Sequence, residues 1–324
     1  MRYYVGIDLG GTNIAAGVVD GQGNIVKKHR NKTNPRQPFP DLVADIARTA
    51  YEVVELAGMK MAEISSVGLG TPSLINPRTN LLVNANNLGW RNVPLPEELG
   101  KHFDIPLFIR NDADCAALGE VMAGAARDYE DALMITLGTG LGGGIILNKR
   151  IFNGCDHMGA ELGHTKLVFE GVQCTCGQYG CLESYASATA LIRQAREALA
   201  VCPESLMGKL CGGDPGSMDA RIPFAAAQQG DAAAAGVVDR YISYLAAGLS
   251  SFIVIFRPQV IIIGGGISNE GEALLKPLNE KMSQCTYAAE EIGIPPAIQA
   301  RLGNDAGIIG AALLELSESG KDRM

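Results

Sequence analysis

Val5-Gly6-Ile7-Asp8-Leu9-Gly10-Gly11-Thr12-Asn13 decides the fold, because it reads as an apolar strand that enters a small-residue turn and leaves as a second strand. Tyr3–Leu9 alternates in the manner of a β-strand, and further strands are predicted over Ile14–Val19 and Ile25–Arg30. The last two are joined by the turn Asp20-Gly21-Gln22-Gly23-Asn24, which makes the segment an antiparallel meander. The same plan returns in Met134-Ile135-Thr136-Leu137-Gly138-Thr139-Gly140-Leu141-Gly142, with strands predicted over Asp131–Leu137 and Gly143–Asn148 and a short third segment near Ile151. Two related halves produced by duplication follow from that repetition.

Apolar spacing of three and four (Leu42, Ile46, Ala50, Val53, Val54, Ala57) predicts a helix over Asp41–Ala57 that ends at Gly58. Short strands are predicted at Val67–Gly70 and Pro106–Ile109, and a helix over Ala113–Ala126 follows the second. Farther on, helical stretches Ser184–Glu197 and Ala233–Arg257 precede the apolar strand Val260-Ile261-Ile262-Ile263 and the turn Gly264-Gly265-Gly266. Pro203–Ala220 is rich in Gly, Pro and Ser without periodicity, and reads as a surface connection with no chemical role. Asp305–Leu316 reads as a closing helix that returns to the N-terminal part. The expected fold class is therefore α/β.

At 324 residues the chain exceeds what one hydrophobic core serves, so two lobes are expected. We place the smaller at 1–117 plus 305–324 and the larger, with a metal-binding loop, at 118–304. A net charge of −8, with no basic run longer than pairs such as Lys27-Lys28, argues against a nucleic-acid or anionic-membrane surface. The N-terminus lacks the apolar region of a signal peptide and no stretch approaches 18 uncharged apolar residues, so a cytoplasmic protein is expected. Of the eight Cys, Cys115, Cys155, Cys202, Cys211 and Cys285 are scattered and read as ordinary thiols in or near the core.

In Asp8-Leu9-Gly10-Gly11-Thr12-Asn13 the glycines let backbone N–H groups approach an anion, Thr12 offers a hydroxyl, and Asp8 a carboxylate for a hydrated magnesium ion. The plainer reading is a hairpin with a sterically required Gly pair. A second turn of the same kind, containing Gly138, Thr139 and Gly140, favours a pair that clamps a triphosphate. Neither fits the Walker pattern. Gly265 and Gly266 lie at a strand-to-helix junction suited to the adenosine end of a nucleotide. Asn111-Asp112-Ala113-Asp114 ends a strand and opens a helix, whose positive end keeps a carboxylate ionised and able to accept a proton. Asp112 is the candidate general base; the competing reading gives Asn111, Asp112 or Asp114 only a capping role.

Cys174-Thr175-Cys176-Gly177-Gln178-Tyr179-Gly180-Cys181 supplies three thiolates, and His164 of Glu161-Leu162-Gly163-His164 completes a Cys₃His set for zinc. His157 is the rival fourth ligand. Four protein ligands leave no open position, so this zinc is expected to be structural. Glu161 and Glu183 flank the knot, where two carboxylates suit a polyhydroxyl ligand; without a metal they read as solvated surface residues.

Taken together, Gly6-Ile7-Asp8-Leu9-Gly10-Gly11-Thr12, Gly70-Thr71-Pro72, Asn111–Asp114, Leu137–Gly144, Glu161–His164 and Cys174–Glu183 resemble the ROK family of sugar kinases, repressors and uncharacterised open reading frames. Asn86-Asn87-Leu88-Gly89-Trp90 resembles its glucokinase branch. The resemblance implies two ribonuclease-H-like lobes of the actin and hexokinase type around an interdomain cleft, with ATP, magnesium and zinc as cofactors. It further implies that Asp112 deprotonates the sugar 6-hydroxyl, and that Asn111, Asp112, Glu161, His164 and Glu183 bind the hexose. Asp8, Gly10, Gly11, Thr12, Gly138, Thr139 and Gly140 would serve the phosphates, and Gly265 and Gly266 the adenosine. Two positions depart from the family: Asn13 stands where many members carry Lys, and Ser73 where they carry Gly. The expectation is an ATP-dependent kinase of glucose, forming a homodimer or homotetramer. Its alternatives are a kinase of fructose, mannose or N-acetylmannosamine, and a non-catalytic sugar sensor.

Overall fold

Apolar side chains on both faces make β1 (Tyr3–Leu9) a central strand: Val5, Ile7 and Leu9 join one core cluster and Tyr4 another. The computed structural model describes residues 1–318, so 319–324 of the expected small lobe lie outside the described residues. β2 (Asn13–Asp20) and β3 (Ile25–Lys32) complete the expected antiparallel meander. Asp20 builds the turn between them, its Oδ1 accepting the N–H groups of Gln22 and Asn24 at 2.9 Å each. α1 (Phe39–Leu56) buries Leu42, Ile46, Ala50 and Val53 against the face formed by Val5, Ile7, Leu9, Ile14 and Ala16.

β4 (Ile64–Thr71) runs parallel to β1. Three short strands, β5 (Ile75–Asn76), β6 (Leu81–Ala85) and β7 (Trp90–Val93), then form a small antiparallel sheet of their own. No periodicity announces it, because strands this short hold barely one alternation each. After α2 (Leu95–Gly100), β8 (Leu107–Asn111) pairs parallel with β4 and leads into α3 (Asp112–Met122). The first sheet thus has the order β3-β2-β1-β4-β8.

β9 (Ala132–Leu137), β10 (Leu141–Leu147) and β11 (Arg150–Ile151) answer the second predicted strand set. The predicted helix over Ser184–Glu197 is two helices, α4 (Glu183–Ala186) and α5 (Ala188–Val201). Ser187 separates them, because it leaves helical backbone and its hydroxyl accepts the Ala190 N–H at 3.1 Å as an N-cap. The stretch read as a bare connection contains α6 (Leu206–Leu210). α7 (Arg221–Gln228) and α8 (Ala232–Phe256) follow, and α8 packs on α5, α7 and α9 (Glu272–Cys285). Among the described residues α8 alone is long and apolar enough to cross a membrane, and half of that stretch is buried.

β12 (Val260–Gly264), α10 (Ala289–Ile292) and β13 (Ala297–Gln299) complete a second sheet of order β11-β10-β9-β12-β13, with β12 and β13 parallel. The two sheets repeat one strand order, as the duplicated motif anticipates. The predicted closing helix breaks at Leu313 into α11 (Ala306–Ala312) and α12 (Leu314–Glu318). The protein is α/β. By its contacts it divides into two units, Met1–Met134 with Gly144–Ala160 and Arg301–Met324, and Ile135–Gly143 with Glu161–Ala300.

α11 lies on the face of the first sheet opposite α1, and it lies close. A Cβ on Gly68 would stand 1.8 Å from the Ala311 carbonyl oxygen, and one on Gly6 1.9 Å from that of Ile308. Only glycine admits that approach, which sets the end of α11 beside Asp8, with Gly307 nearest its carboxylate.

Candidate active site

In the first unit β1 delivers Asp8 to the mouth of the turn Gly10–Asn13, and β8 delivers Asn111 and Asp112 to the head of α3. The turn is held from two sides. Gly10 N–H donates to the Asn13 carbonyl at 3.0 Å, while Thr33, just past β3, donates its N–H to the Thr12 carbonyl at 2.9 Å and its hydroxyl to the Gly10 carbonyl at 2.8 Å. Thr33 has no sequence signature, because its role arises only from the β2–β3 register.

Asn111 caps α3, its Oδ1 accepting the Ala113 N–H at 2.8 Å, and Asp112 Oδ1 accepts the same N–H at 2.8 Å. The helix start therefore has a cap in Asn111, with the Asp112 carboxylate sharing the same N–H. Burial pushes the Asp8 carboxyl up to about 6, and the neighbouring Asp112 charge adds to the rise. Two acidic groups thus lie near enough at the end of the sheet to interact, an arrangement that a cation would relieve.

Asp114 is buried and points elsewhere, accepting from Asn153 Nδ2 at 3.3 Å, while Asn153 Oδ1 lies 2.9 Å from His157 Nδ1. His157 thereby belongs to a polar chain of the first unit. Thr71 ends β4 in register with Asn111, and its buried hydroxyl has no hydrogen-bond partner among the described residues. Ser73 is engaged, its Oγ accepting the Asn84 N–H at 3.1 Å and so tying the small sheet to the end of β4.

In the second unit the Nδ1 or Nε2 of His164 and the Sγ atoms of Cys174, Cys176 and Cys181 all lie within 4.8 Å of one another. His164 Nδ1 is 3.7 Å from Cys174 Sγ, and Cys176 Sγ is 3.8 Å from Cys181 Sγ. A tetrahedral zinc with Zn–S bonds of about 2.3 Å has S–S edges of about 3.8 Å, so the donor set fits that ion. The loop is shaped by backbone bonds within it, Cys174 N–H to the Gln178 carbonyl at 2.7 Å and Gly177 N–H to the Cys174 carbonyl at 2.9 Å.

Glu183 joins this knot to the second glycine turn. Its Oε2 accepts the Leu141 N–H at 2.9 Å, and its Oε1 accepts from the Thr175 hydroxyl at 3.0 Å. Glu161 sits at the start of the short 3₁₀ turn Leu162–His164 and is exposed. That turn packs on the glycine loop so tightly that a Cβ on Gly163 would meet the Leu141 carbonyl oxygen at 2.1 Å. Gly138–Gly140 in turn docks on the start of α5, where Ala188 N–H donates to the Gly138 carbonyl and the Thr189 hydroxyl to that of Thr139. Gly265, at φ +81°, backs onto Leu137. The second unit so gathers Gly138, Thr139, Gly140, Glu161, His164, Glu183, the three cysteines and Gly265 around one loop.

Paired sheets of this order, a glycine turn at the end of β1 and a carboxylate at the head of α3 define an actin-like phosphotransferase class. The profile of the ROK family matches residues 4–318, and the chain belongs to that family. It is 40% identical to the glucokinase of Thermotoga maritima over 309 residues, covering 95% of each chain. Among solved structures, a ROK family glucokinase from Streptomyces griseus in complex with glucose and AMPPNP superposes with a TM-score of 0.79 at 34% identity, covering 96% of this chain and 98% of the other. The ROK hexokinase of Thermus thermophilus superposes with a TM-score of 0.81 at 33% identity, over 98% and 99%.

Proposed function

We propose that this chain is an ATP-dependent glucokinase, transferring the terminal phosphoryl group of ATP to the 6-hydroxyl of glucose. The reading rests on Asp112, set at the helix head beside Asp8 in a chain that shares its length and fold with glucokinases. Asp112 accepts the proton of the 6-hydroxyl as its oxygen bonds to the γ-phosphorus; the bond from that phosphorus to the β–γ bridging oxygen breaks, and ADP leaves. The helix N-terminus favours the ionised base.

Asn111, Asp112, Glu161, His164 and Glu183 hold the sugar hydroxyls in this reading. Gly10, Gly11, Thr12, Gly138, Thr139 and Gly140 form the turns that receive the phosphates, through Thr hydroxyls and those backbone N–H groups not bonded within the turns, and Gly265 with Gly266 borders the adenosine. Asp8 suits hydrated magnesium, an oxygen-seeking ion held through one or two carboxylates, which when bound neutralises phosphate charge. His164, Cys174, Cys176 and Cys181 suit zinc, which with four protein ligands supplies rigidity and no reacting position. The enzyme is assigned to the cytoplasm and to a homodimer or homotetramer, the latter open to light scattering.

The test is ADP release by the purified protein over a panel of hexoses, run beside Asp112→Asn. Glucose should give the highest kcat/KM, and the variant should lose about 10²–10⁴-fold in kcat, the range for a positioned proton acceptor. Near-parental turnover by the variant would remove Asp112 from that role, and hexose-independent ADP release would remove the kinase reading.

A further inference from the structure

We infer that Arg30 and Lys32, on β3, are the cations that receive the nucleotide phosphates at the first glycine turn. This rests on the kinase reading above.

The turn Gly10–Asn13 itself contains no cation, and Asp8 at the end of β1 and Asp112 at the head of α3 are both acids. A triphosphate carries about four negative charges and magnesium offsets two, so phosphate beside this pair needs further positive charge. Asn13 supplies a neutral amide.

The register of the sheet shows where that charge resides. Side chains alternate across a strand, and directly paired residues share a face. β1 pairs Asp8 with Ala15, and β2 pairs Ala15 with Arg30, so Asp8, Ala15 and Arg30 form one row on one face. Asn13 pairs with Lys32, placing Lys32 on the same face at the turn itself. This is the α11 face: Lys28, two residues before Arg30, donates to both carboxylate oxygens of Asp305 at 2.8 and 2.7 Å. The other face of β3 carries His29 and Asn31, both bonded to Glu52 of α1.

On β3, Lys28, His29 and Asn31 therefore have internal partners, while Arg30 and Lys32 make no ion pair or side-chain hydrogen bond among the described residues. Only the methyl of Ala15 stands between Arg30 and Asp8 in their row. Strand spacing puts the Arg30 backbone about 10 Å from that of Asp8, and Lys32 about 5 Å from Asn13. The two cations are also anchored to the turn, because Thr33 immediately after them bonds the carbonyls of Gly10 and Thr12. A guanidinium in this place matches phosphate oxygens with two parallel donors, and an ammonium adds point charge.

A rival account makes these residues guards of an exposed edge strand, where charge discourages pairing with another chain. The experiment separates the two. Magnesium–ATP affinity is measured by titration calorimetry, and KM for ATP and for glucose by ADP release, in the parent, Arg30→Ala, Lys32→Ala and the double variant, each with and without Asn13→Lys. The inference expects the double variant to weaken magnesium–ATP binding and raise KM for ATP about 10-fold or more, with KM for glucose within about twofold. It also expects a shallower dependence of ATP affinity on salt, and recovery of most of the loss when Asn13→Lys returns a cation to the turn.

Unchanged magnesium–ATP affinity overturns it, including where the variants aggregate more readily. So does a loss that falls equally on both substrates, or one that Asn13→Lys fails to recover. Should the parent release no ADP with any hexose, the sugar-kinase reading fails, while calorimetry still judges these two residues.

Discussion

Asp8 is pulled in two directions. Its place at the end of a central strand buries it beside Asp112 and lifts its carboxyl to about 6, while the proposed binding of magnesium–ATP needs the anion. A carboxyl raised in the folded state holds its proton more tightly there than in the unfolded chain. The stability this gives is complete below about pH 4 and is lost as pH rises through 6. Above pH 6 the cost levels off at up to about 3 kcal/mol. Asp8→Asn should accordingly raise the melting temperature at pH 7.5 and change it little at pH 4, read by calorimetric unfolding. In the parent enzyme KM for magnesium–ATP should climb as pH falls below 6, where Asp8 becomes protonated. A flat profile between pH 7.5 and 5.5 would dismiss the assignment of Asp8 to the phosphates.

At the scale of elements, the contact of α11 with the first sheet and with α3 is the feature on which the position of the site depends. Gly6 and Gly68 admit α11 on the sheet side, and a Cβ on Gly310 would come within 1.7 Å of the Cys115 carbonyl oxygen on α3. Gly68→Ala must push α11 away from strands that also carry Asp8 and lead to Asn111. We expect a loss of about 1–3 kcal/mol in denaturant unfolding, the usual cost of forcing atoms into a packed core, together with a fall in kcat. The same layer holds Glu120, fully buried on α3. Its Oε1 accepts the N–H groups of Arg301 and Leu302 at 2.9 and 2.7 Å, and its Oε2 that of Ala125 at 2.7 Å. Glu120 thus secures the chain where it leads into α11. Apolar spacing reveals α1 because its buried stripe recurs at three and four, whereas a buried carboxylate whose partners are backbone groups 181 residues away leaves no local pattern.

For the molecule as a whole, the repeated sheet order makes two glycine turns from one design, but the second unit has gained the cysteine loop and its connection through Glu183. Binding at a four-ligand site couples metal to folding. The protein as isolated should carry about one zinc per chain by elemental analysis. Removal by a strong chelator should lower stability by several kcal/mol and raise KM for glucose, because His164 and Glu183 take their places from the knot. Full stability and unchanged glucose affinity in zinc-free protein would contradict this.

The sequence alone determined the strand–turn–strand plan and its repetition, the helix over α1, the cysteine spacing and the placement of Asp112 at a helix head. Each of these is local: alternation, three-and-four spacing, glycine at a turn and ligands a few residues apart are written within short windows. The tertiary structure decided what depends on register and close approach. It set the rise of Asp8 through its neighbour Asp112, the engagement of His157 with Asn153, and the double duty of Glu183. It also put Arg30 and Lys32 on the face of Asp8, a placement that shifts to the opposite face with a one-residue change of register. A single sequence does not carry that register, since it is fixed by the packing of both faces of the sheet at once.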